Sequence, residues 1–133
     1  MYMPSPYRML VRRFVEELER GKLSETDAGR LVAGDAVAHV PGSGPLAGEY
    51  RGPAGFARLF HLQREAAQDG YAFEARSYVV HDSAAAAVVR IGARRDMHAF
   101  NGDLRLVLSL AGGKIKELWL DPVDAAGFDA FFR

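Results

Sequence analysis

The second half of this 133-residue sequence constrains the fold most strongly, because it reads as four strands in succession. Four runs rich in apolar and β-branched residues are separated by short turn sequences. The runs cover residues 71–80, 85–94, 99–110 and 114–120. Successive strands joined by short turns favour an antiparallel meander over the alternation of strands and helices that builds a parallel sheet.

The first half of the sequence has helical character. Ser5 and Pro6 resemble an N-cap followed by proline at the first helical position, and apolar residues then recur at intervals of three and four until Gly21. A capping-box-like sequence at residues 24–27 begins a short second helix, which Gly34 is expected to end. These two elements are predicted to form a helical hairpin.

A third helix connects the hairpin to the strands. It follows a short β-leaning segment at residues 36–40 and a loop rich in glycine and proline at residues 41–48. The helix is predicted to begin at Pro53 and to end near Gly70. Helices followed by strands indicate an α+β fold, in which a curved antiparallel sheet wraps around the helices and encloses an apolar pocket. No internal repeat or linker argues against a single domain over residues 1–133.

Composition and charge exclude several classes of function. Lysine plus arginine and aspartate plus glutamate each number 17, so the chain lacks the positive excess that holds proteins on nucleic acid or anionic membranes. Cysteine is absent, which excludes disulfides, thiolate nucleophiles and cysteine-ligated metals. No metal-ligand spacing occurs among the four histidines. Without a signal-peptide pattern or an apolar run of about 20 residues, we expect a cytoplasmic protein with no membrane partner.

The ending Trp119-Leu120-Asp121-Pro122 places an acid where the last strand passes into a final helix. If strand alternation holds, every second residue from Ile115 to Asp121 shares one face with Trp119. An aspartate desolvated beside indole has a raised pKa, so Asp121 could act as a general acid or base. Alternatively, Asp121 before proline, with Asp124 three residues later, could cap the final helix. The two roles can coexist, and the sequence leaves both open.

His39 and Arg90 are the other candidates for chemistry. A neutral His39 could shuttle a proton or orient a carbonyl, because the ordinary pKa of histidine is about 6.5. The alternative is a buried histidine bonded to a backbone carbonyl. Arg90 lies inside an otherwise apolar strand, where it could pair with Asp121 or lie on the outer face with its stem along the sheet.

Three segments carry a resemblance to a known family. The segment from His39 to Gly52, the turn at Gly113–Ile115 and the ending from Trp119 to Phe128 resemble the SnoaL-like polyketide cyclase branch of the nuclear transport factor 2-like superfamily. This resemblance covers nearly the whole chain and implies a cone-shaped α+β barrel with a deep pocket, a homodimer formed through the sheet, and neither metal nor organic cofactor. Enzymes of the superfamily, such as ketosteroid isomerase, scytalone dehydratase and limonene epoxide hydrolase, move protons with pocket carboxylates, histidines and tyrosines.

The chain matches no one of these enzymes completely. Its Asp121 and Arg90 resemble residues of limonene epoxide hydrolase, but Gly92 replaces the second acid of that enzyme, which argues against epoxide opening. Phe14 stands where ketosteroid isomerase has a hydroxyl donor, which disfavours steroid isomerisation. Asp103 lies on the strand where the isomerase carries a pocket acid, although it could equally form a cross-strand surface pair.

The sequence therefore predicts a cofactor-independent enzyme that acts by acid–base catalysis on a small apolar metabolite bearing a carbonyl or epoxide. The reaction would be that of a cyclase, isomerase, dehydratase or epoxide hydrolase in polyketide or other secondary metabolism. The alternative is a non-catalytic ligand-binding or protein-interaction module of the same fold. The predicted catalytic residues are Asp121, His39 and Arg90. The predicted substrate-binding residues are Trp119, Phe14, Tyr50, Val37, Val107 and Asp103.

Overall fold

The computed structural model describes residues 5–21 and 23–133. Within these residues it contains four helices and one six-stranded sheet. In chain order the elements are α1 (Arg8–Arg20), α2 (Glu25–Leu31), β1 (Val32–Val40), β2 (Gly48–Arg51), α3 (Gly52–Ala66), β3 (Gly70–His81), β4 (Ala84–Arg95), β5 (His98–Ala111), β6 (Lys114–Pro122) and α4 (Ala125–Phe131). No helix in this described part of the chain is long and apolar enough to cross a membrane.

The sheet has the strand order β2-β1-β6-β5-β4-β3. The α+β class and the curved sheet predicted from the sequence are confirmed. The sheet is mixed, because β1 pairs in parallel with β6 while the other neighbours are antiparallel. The chain crosses from β2 to the far edge through α3 and returns by the meander, so the last strand meets the first one running in the same direction.

The ends of the early elements differ from the predictions. Helix α1 begins at Arg8, and its N-cap residue Tyr7 makes no side-chain cap, although the Tyr7 amide donates to Ser5 Oγ at 3.2 Å. The predicted cap of α2 is confirmed, since Ser24 Oγ accepts the Asp27 amide at 3.1 Å. Gly34 does not end α2, because the chain passes directly from Leu31 into β1. The fully buried, β-branched Val32 pairs there with β6 and begins the strand early.

The final helix is capped by Asp124 and not by Asp121. The Asp124 carboxylate accepts the Gly127 amide at 3.0 Å, whereas Asp121 still belongs to β6. The capping role considered for Asp121 is therefore wrong. The strand continues through Pro122, so the helix begins three residues later than the Asp-Pro sequence suggests.

This assignment predicts different stability losses for two neighbouring aspartates. Asp124→Ala should lower the free energy of unfolding by about 0.5–2 kcal/mol, because it removes the acceptor of an orphan helix amide. Asp121→Ala should cost less than about 1 kcal/mol, because it removes only an exposed ion pair. Urea denaturation of both variants measures the difference. A larger loss for Asp121→Ala would mean that the cap is wrongly assigned.

The helices cover one face of the sheet, here called the inner face. On β5 the side chains of Leu104, Leu106, Leu108 and Leu110 point to this face and are buried. Phe14 of α1 is also fully buried and makes edge-to-face contacts with Phe56 and Phe60 of α3, at centroid distances of 6.5 and 6.2 Å. Aromatic and aliphatic side chains thus fill the space between helices and sheet.

The packed side chains leave a much smaller space in this interior than the deep pocket predicted from the sequence. A cavity between α1, α3 and β3 has a volume of about 60 Å³ and is bordered by Phe60, Tyr71 and Phe73. Ligand pockets usually have roughly 300–1,000 Å³. Behind it, the Tyr71 hydroxyl donates to Oε1 of the fully buried Gln63 at 3.2 Å. Burial raises the pKa of Tyr71, so this hydroxyl stays protonated.

Candidate functional site

The register of all six strands aligns one row of side chains on the opposite face of the sheet, here called the outer face. His39 of β1 lies opposite Trp119 of β6, which lies opposite Val107 of β5. The same alignment continues to Ala86 of β4 and Val79 of β3, and Glu49 of β2 precedes His39. This outer row therefore runs Glu49, His39, Trp119, Val107, Ala86 and Val79. Three large apolar side chains in it are exposed: Trp119 by 39%, Val107 by 42% and Val79 by 63%.

An open groove lies along one part of the outer row, the part that belongs to β2, β1, β6 and β5. Its volume is about 530 Å³, which falls within the range of small-molecule sites. The floor is largely apolar, and two carboxylates and one imidazole border it. The residues that matter for its chemistry are His39, Glu49, Val107, Trp119 and Asp121.

His39 is held by three neighbours at this groove. Its Nε2 lies 2.9 Å from Oε2 of Glu117, and its Nδ1 lies 3.9 Å from Oε1 of Glu49. Its ring stacks on the indole of Trp119, with centroids 5.4 Å apart and an interplanar angle of 16°. The imidazole is thus oriented by a carboxylate and an aromatic ring, and not by the backbone carbonyl of the alternative interpretation.

Asp121 borders the same groove but has a different partner from the one predicted. Its Oδ2 accepts from Arg105, at 3.1 Å from Nε and 2.9 Å from a terminal guanidinium nitrogen. Arg90 instead bonds to Asp103 at 3.3 Å. The predicted Arg90–Asp121 pair is therefore wrong, because the register places Arg105 opposite Asp121 and Arg90 opposite Asp103. Asp103 forms the cross-strand surface pair that was the alternative for it.

The remaining predicted residues lie apart from the groove. Phe14 was predicted to bind substrate, but it is buried in the interior and does not border the groove. Val37 lies on β1 opposite Glu117, one row away from His39. The Tyr50 hydroxyl donates to the Leu46 carbonyl at 2.8 Å, and burial raises the pKa of Tyr50. Of the predicted set, His39, Asp121, Trp119 and Val107 come together.

Two residues of the site were not assigned from the sequence. Glu117 was expected to share a face with Trp119 and Asp121, and it does, but its contact with His39 depends on the parallel pairing of β1 and β6. Glu49 lies on the short strand β2, which is not among the strands predicted from the sequence. Ile115, expected on the same face, is buried on the inner face because the pairing of β5 and β6 shifts between Ser109 and Leu110.

Within residues 5–21 and 23–133, no three histidine, aspartate or glutamate side chains are grouped in a way that would hold a metal ion.

Comparisons with known proteins agree with this architecture. The family model of the SnoaL-like domain matches residues 11–118. Among curated proteins there is no match.

Solved structures give the same result for the fold. Bal32a, from a soil-derived mobile gene cassette, has a TM-score of 0.84 at 19% identity, over 94% of this chain and 95% of that one. An NTF2-like protein from Burkholderia xenovorans LB400 has a TM-score of 0.71 at 18% identity, over 94% of both chains. A protein from Jannaschia sp. CCS1, named as a SnoaL-like polyketide cyclase, has a TM-score of 0.75 at 10% identity, over 98% of this chain and 97% of that one. At these identities the likeness shows the fold alone.

Proposed function

Because the chain belongs to the SnoaL-like domain family, we propose that it is a cofactor-independent enzyme that transfers protons on a small apolar metabolite. The observation that carries the proposal is the groove on the outer face, where His39 and Asp121 border an apolar floor containing Trp119. Two proton-carrying groups beside an apolar surface are what such chemistry requires, because the surface binds the carbon skeleton while the groups act on it.

His39 is the best-placed base. Glu117 accepts the hydrogen bond of Nε2–H, which leaves Nδ1 as the nitrogen that can accept a proton from a substrate. As the imidazolium forms, Glu117 stabilises its charge, and Glu49 at 3.9 Å from Nδ1 adds to this effect. Stacking on Trp119 restrains the ring, so that little orientational freedom is lost in the reaction.

Asp121 is the second group. Its pairing with Arg105 fixes one carboxylate oxygen, while the other remains able to exchange a proton with a bound molecule. Arg105 thereby takes the supporting position that had been predicted for Arg90, which lies with Asp103 outside the groove.

The substrate class follows from these groups. A carbonyl compound would lose a proton from the adjacent carbon to Nδ1 of His39, the C–H electron pair would move into an enolate, and the imidazolium would return the proton at another atom. An epoxide or alcohol would instead receive a proton on its oxygen from the imidazolium form of His39, which is left neutral. Cyclisation, isomerisation and dehydration use these steps, and hydrolysis adds water as the nucleophile.

Proton exchange at a bound ketone tests this function without knowledge of the natural substrate. The wild-type protein in D₂O should exchange the α-hydrogens of 2-decalone, a saturated bicyclic ketone, faster than the same concentration of free imidazole does. NMR follows the loss of the α-hydrogen signal, and the rate should saturate with ketone concentration. A rate that equals that of imidazole and never saturates would argue against a proton-transfer site.

A second candidate function belongs to another class, namely a protein-interaction module that forms a homodimer through its sheet. It is favoured by the exposure of Val79, Val107 and Trp119 on the outer face, which no helix of residues 5–21 and 23–133 covers. If the protein is only such an interaction module, Trp119→Ala should abolish self-association. The wild-type protein should then show no saturable exchange of 2-decalone.

A further inference from the structure

The groove carries an excess of negative charge at the place where the proposed reaction would form an anion. Two of its lining residues are carboxylates, Glu49 and Asp121, and in the described part of the chain no lysine or arginine lines it. Beside them, the Glu117 carboxylate lies 2.9 Å from His39, whose imidazole is uncharged in the form that acts as a base. An anion formed in the groove would therefore lie among carboxylates.

The arginines that accompany these acids do not supply the missing positive charge. Arg51 bonds to Glu49 and Arg105 bonds to Asp121, so each arginine offsets the acid that it holds. Both arginine side chains are more than half exposed, and solvent screens charges at such positions. Three acids against two arginines leave one negative charge, which corresponds to Glu117.

An enolate is the anion that removal of a proton beside a carbonyl would form. Among the described residues that line the groove, the only side-chain N–H groups belong to His39 and Trp119. His39 takes the proton from carbon, so the indole N–H is the one neutral donor left for the enolate oxygen. Enzymes usually aim several donors or a cation at an oxygen that becomes negative. The positive charge therefore has to arrive with the substrate.

We propose that the natural substrate is a cationic amino ketone, an apolar carbonyl compound that carries a protonated amine close to its carbonyl group. This inference rests on the proposed function, because it assumes that His39 removes a proton from carbon in this groove. The ammonium pairs with the Glu49 and Asp121 carboxylates that border the groove. The partly exposed ring of Trp119 adds attraction, because the face of an indole attracts cations.

With such a substrate the reaction needs no other positive charge. The C–H bond beside the carbonyl breaks, its proton bonds to Nδ1 of His39, and its electron pair becomes the C=C bond of an enolate as the carbonyl π pair moves to oxygen. The substrate passes from a cation to a zwitterion without net charge, while the imidazolium forms beside Glu117. The substrate's own ammonium then stabilises the enolate oxygen.

Two ketones of the same shape test this inference. Octahydroquinolizin-2-one is 2-decalone with nitrogen in place of one bridgehead carbon, and its tertiary amine is largely protonated at neutral pH. Titration of the emission of Trp119 should give the amine a dissociation constant at least about tenfold below that of 2-decalone. Added NaCl should weaken the binding of the amine but not that of 2-decalone. The exchange rate, divided by the rate with free imidazole, should also be about tenfold higher for the amine.

Glu49→Gln should lower the ratio of the two affinities about threefold, because it removes one of the carboxylates that bind the ammonium. The matched control is Glu74→Gln. Glu74 lies on the edge strand β3 and pairs with the arginine two residues later, as Glu49 does on β2, but it lies outside the groove. The control should keep the wild-type ratio. Asp121→Asn provides a second test if Glu49→Gln fails to fold by circular dichroism.

The outcomes separate this inference from the proposed function. Equal affinities for the two ketones would overturn the inference, as would equal exchange rates relative to imidazole. A ratio of affinities that survives both Glu49→Gln and Asp121→Asn would do the same, because the ammonium would then bind elsewhere. If neither ketone exchanges saturably and faster than with free imidazole, the proposed function fails instead, whichever ketone binds more tightly.

Discussion

Replacing His39 with glutamine is expected to lower the rate of α-hydrogen exchange at bound 2-decalone by about 10²–10⁴-fold, the usual contribution of a positioned acid or base. Glutamine keeps a hydrogen-bonding group near Glu117 but cannot accept a proton from carbon. The side chain is partly exposed on the outer face, so folding should be little affected. NMR in D₂O measures the exchange rate, and the affinity for the ketone should change much less than the rate.

His81→Gln is the matched control, because His81 is exposed at the end of β3 and lies far from the groove-lining residues in the sheet register. It should exchange the ketone at the wild-type rate. Glu117→Gln should give an intermediate rate, since it removes the charge that stabilises the imidazolium while leaving an acceptor for Nε2–H. Unchanged exchange in His39→Gln would remove the imidazole from the mechanism.

Replacing Phe14 with alanine is expected to lower the free energy of unfolding by about 3–5 kcal/mol. Phe14 is fully buried and contacts Phe56 and Phe60 edge to face, so the substitution leaves a cavity in the centre of the interior. Such a loss approaches the whole stability of many domains, which is about 5–15 kcal/mol. Urea denaturation measures it.

Met9→Ala on the same helix is the control, because Met9 is largely exposed, and it should cost less than about 0.5 kcal/mol. While it remains folded, Phe14→Ala should still bind 2-decalone with nearly wild-type affinity, since Phe14 does not border the groove. A small loss of stability together with a large loss of affinity would restore the substrate-binding role predicted for Phe14.

The strands of the meander could be predicted closely from the sequence because local signals define them. The run predicted at residues 85–94 is the strand Ala84–Arg95, and the predicted turn at Gly112 and Gly113 has two residues with positive φ, at 60° and 79°. The early elements were predicted less well. Gly34 resembles a helix stop, but long-range pairing with β6 draws Val32 to Val40 into a single strand.

For the site, the sequence could predict which side chains of one strand share a face, but not their partners on neighbouring strands. Alternation places Glu117, Trp119 and Asp121 on one face, and they share it. The partners across strands depend on register, which no local pattern contains. Thus His39 meets Glu117 across 78 residues of sequence, and Asp121 meets Arg105 where Arg90 had been expected. The local sequence pattern also does not show which face of the sheet carries the outer row, because that depends on where the helices pack.

The central claim is that chemistry takes place at the outer-face groove and not in the packed interior. The most direct test compares two curves for the wild-type protein, the emission of Trp119 and the rate of α-hydrogen exchange, both against the concentration of 2-decalone. Because Trp119 forms the floor of the groove and is the single tryptophan of the chain, both curves should saturate at the same ketone concentration. Saturable exchange without any change in Trp119 emission would place the reaction elsewhere and contradict the claim.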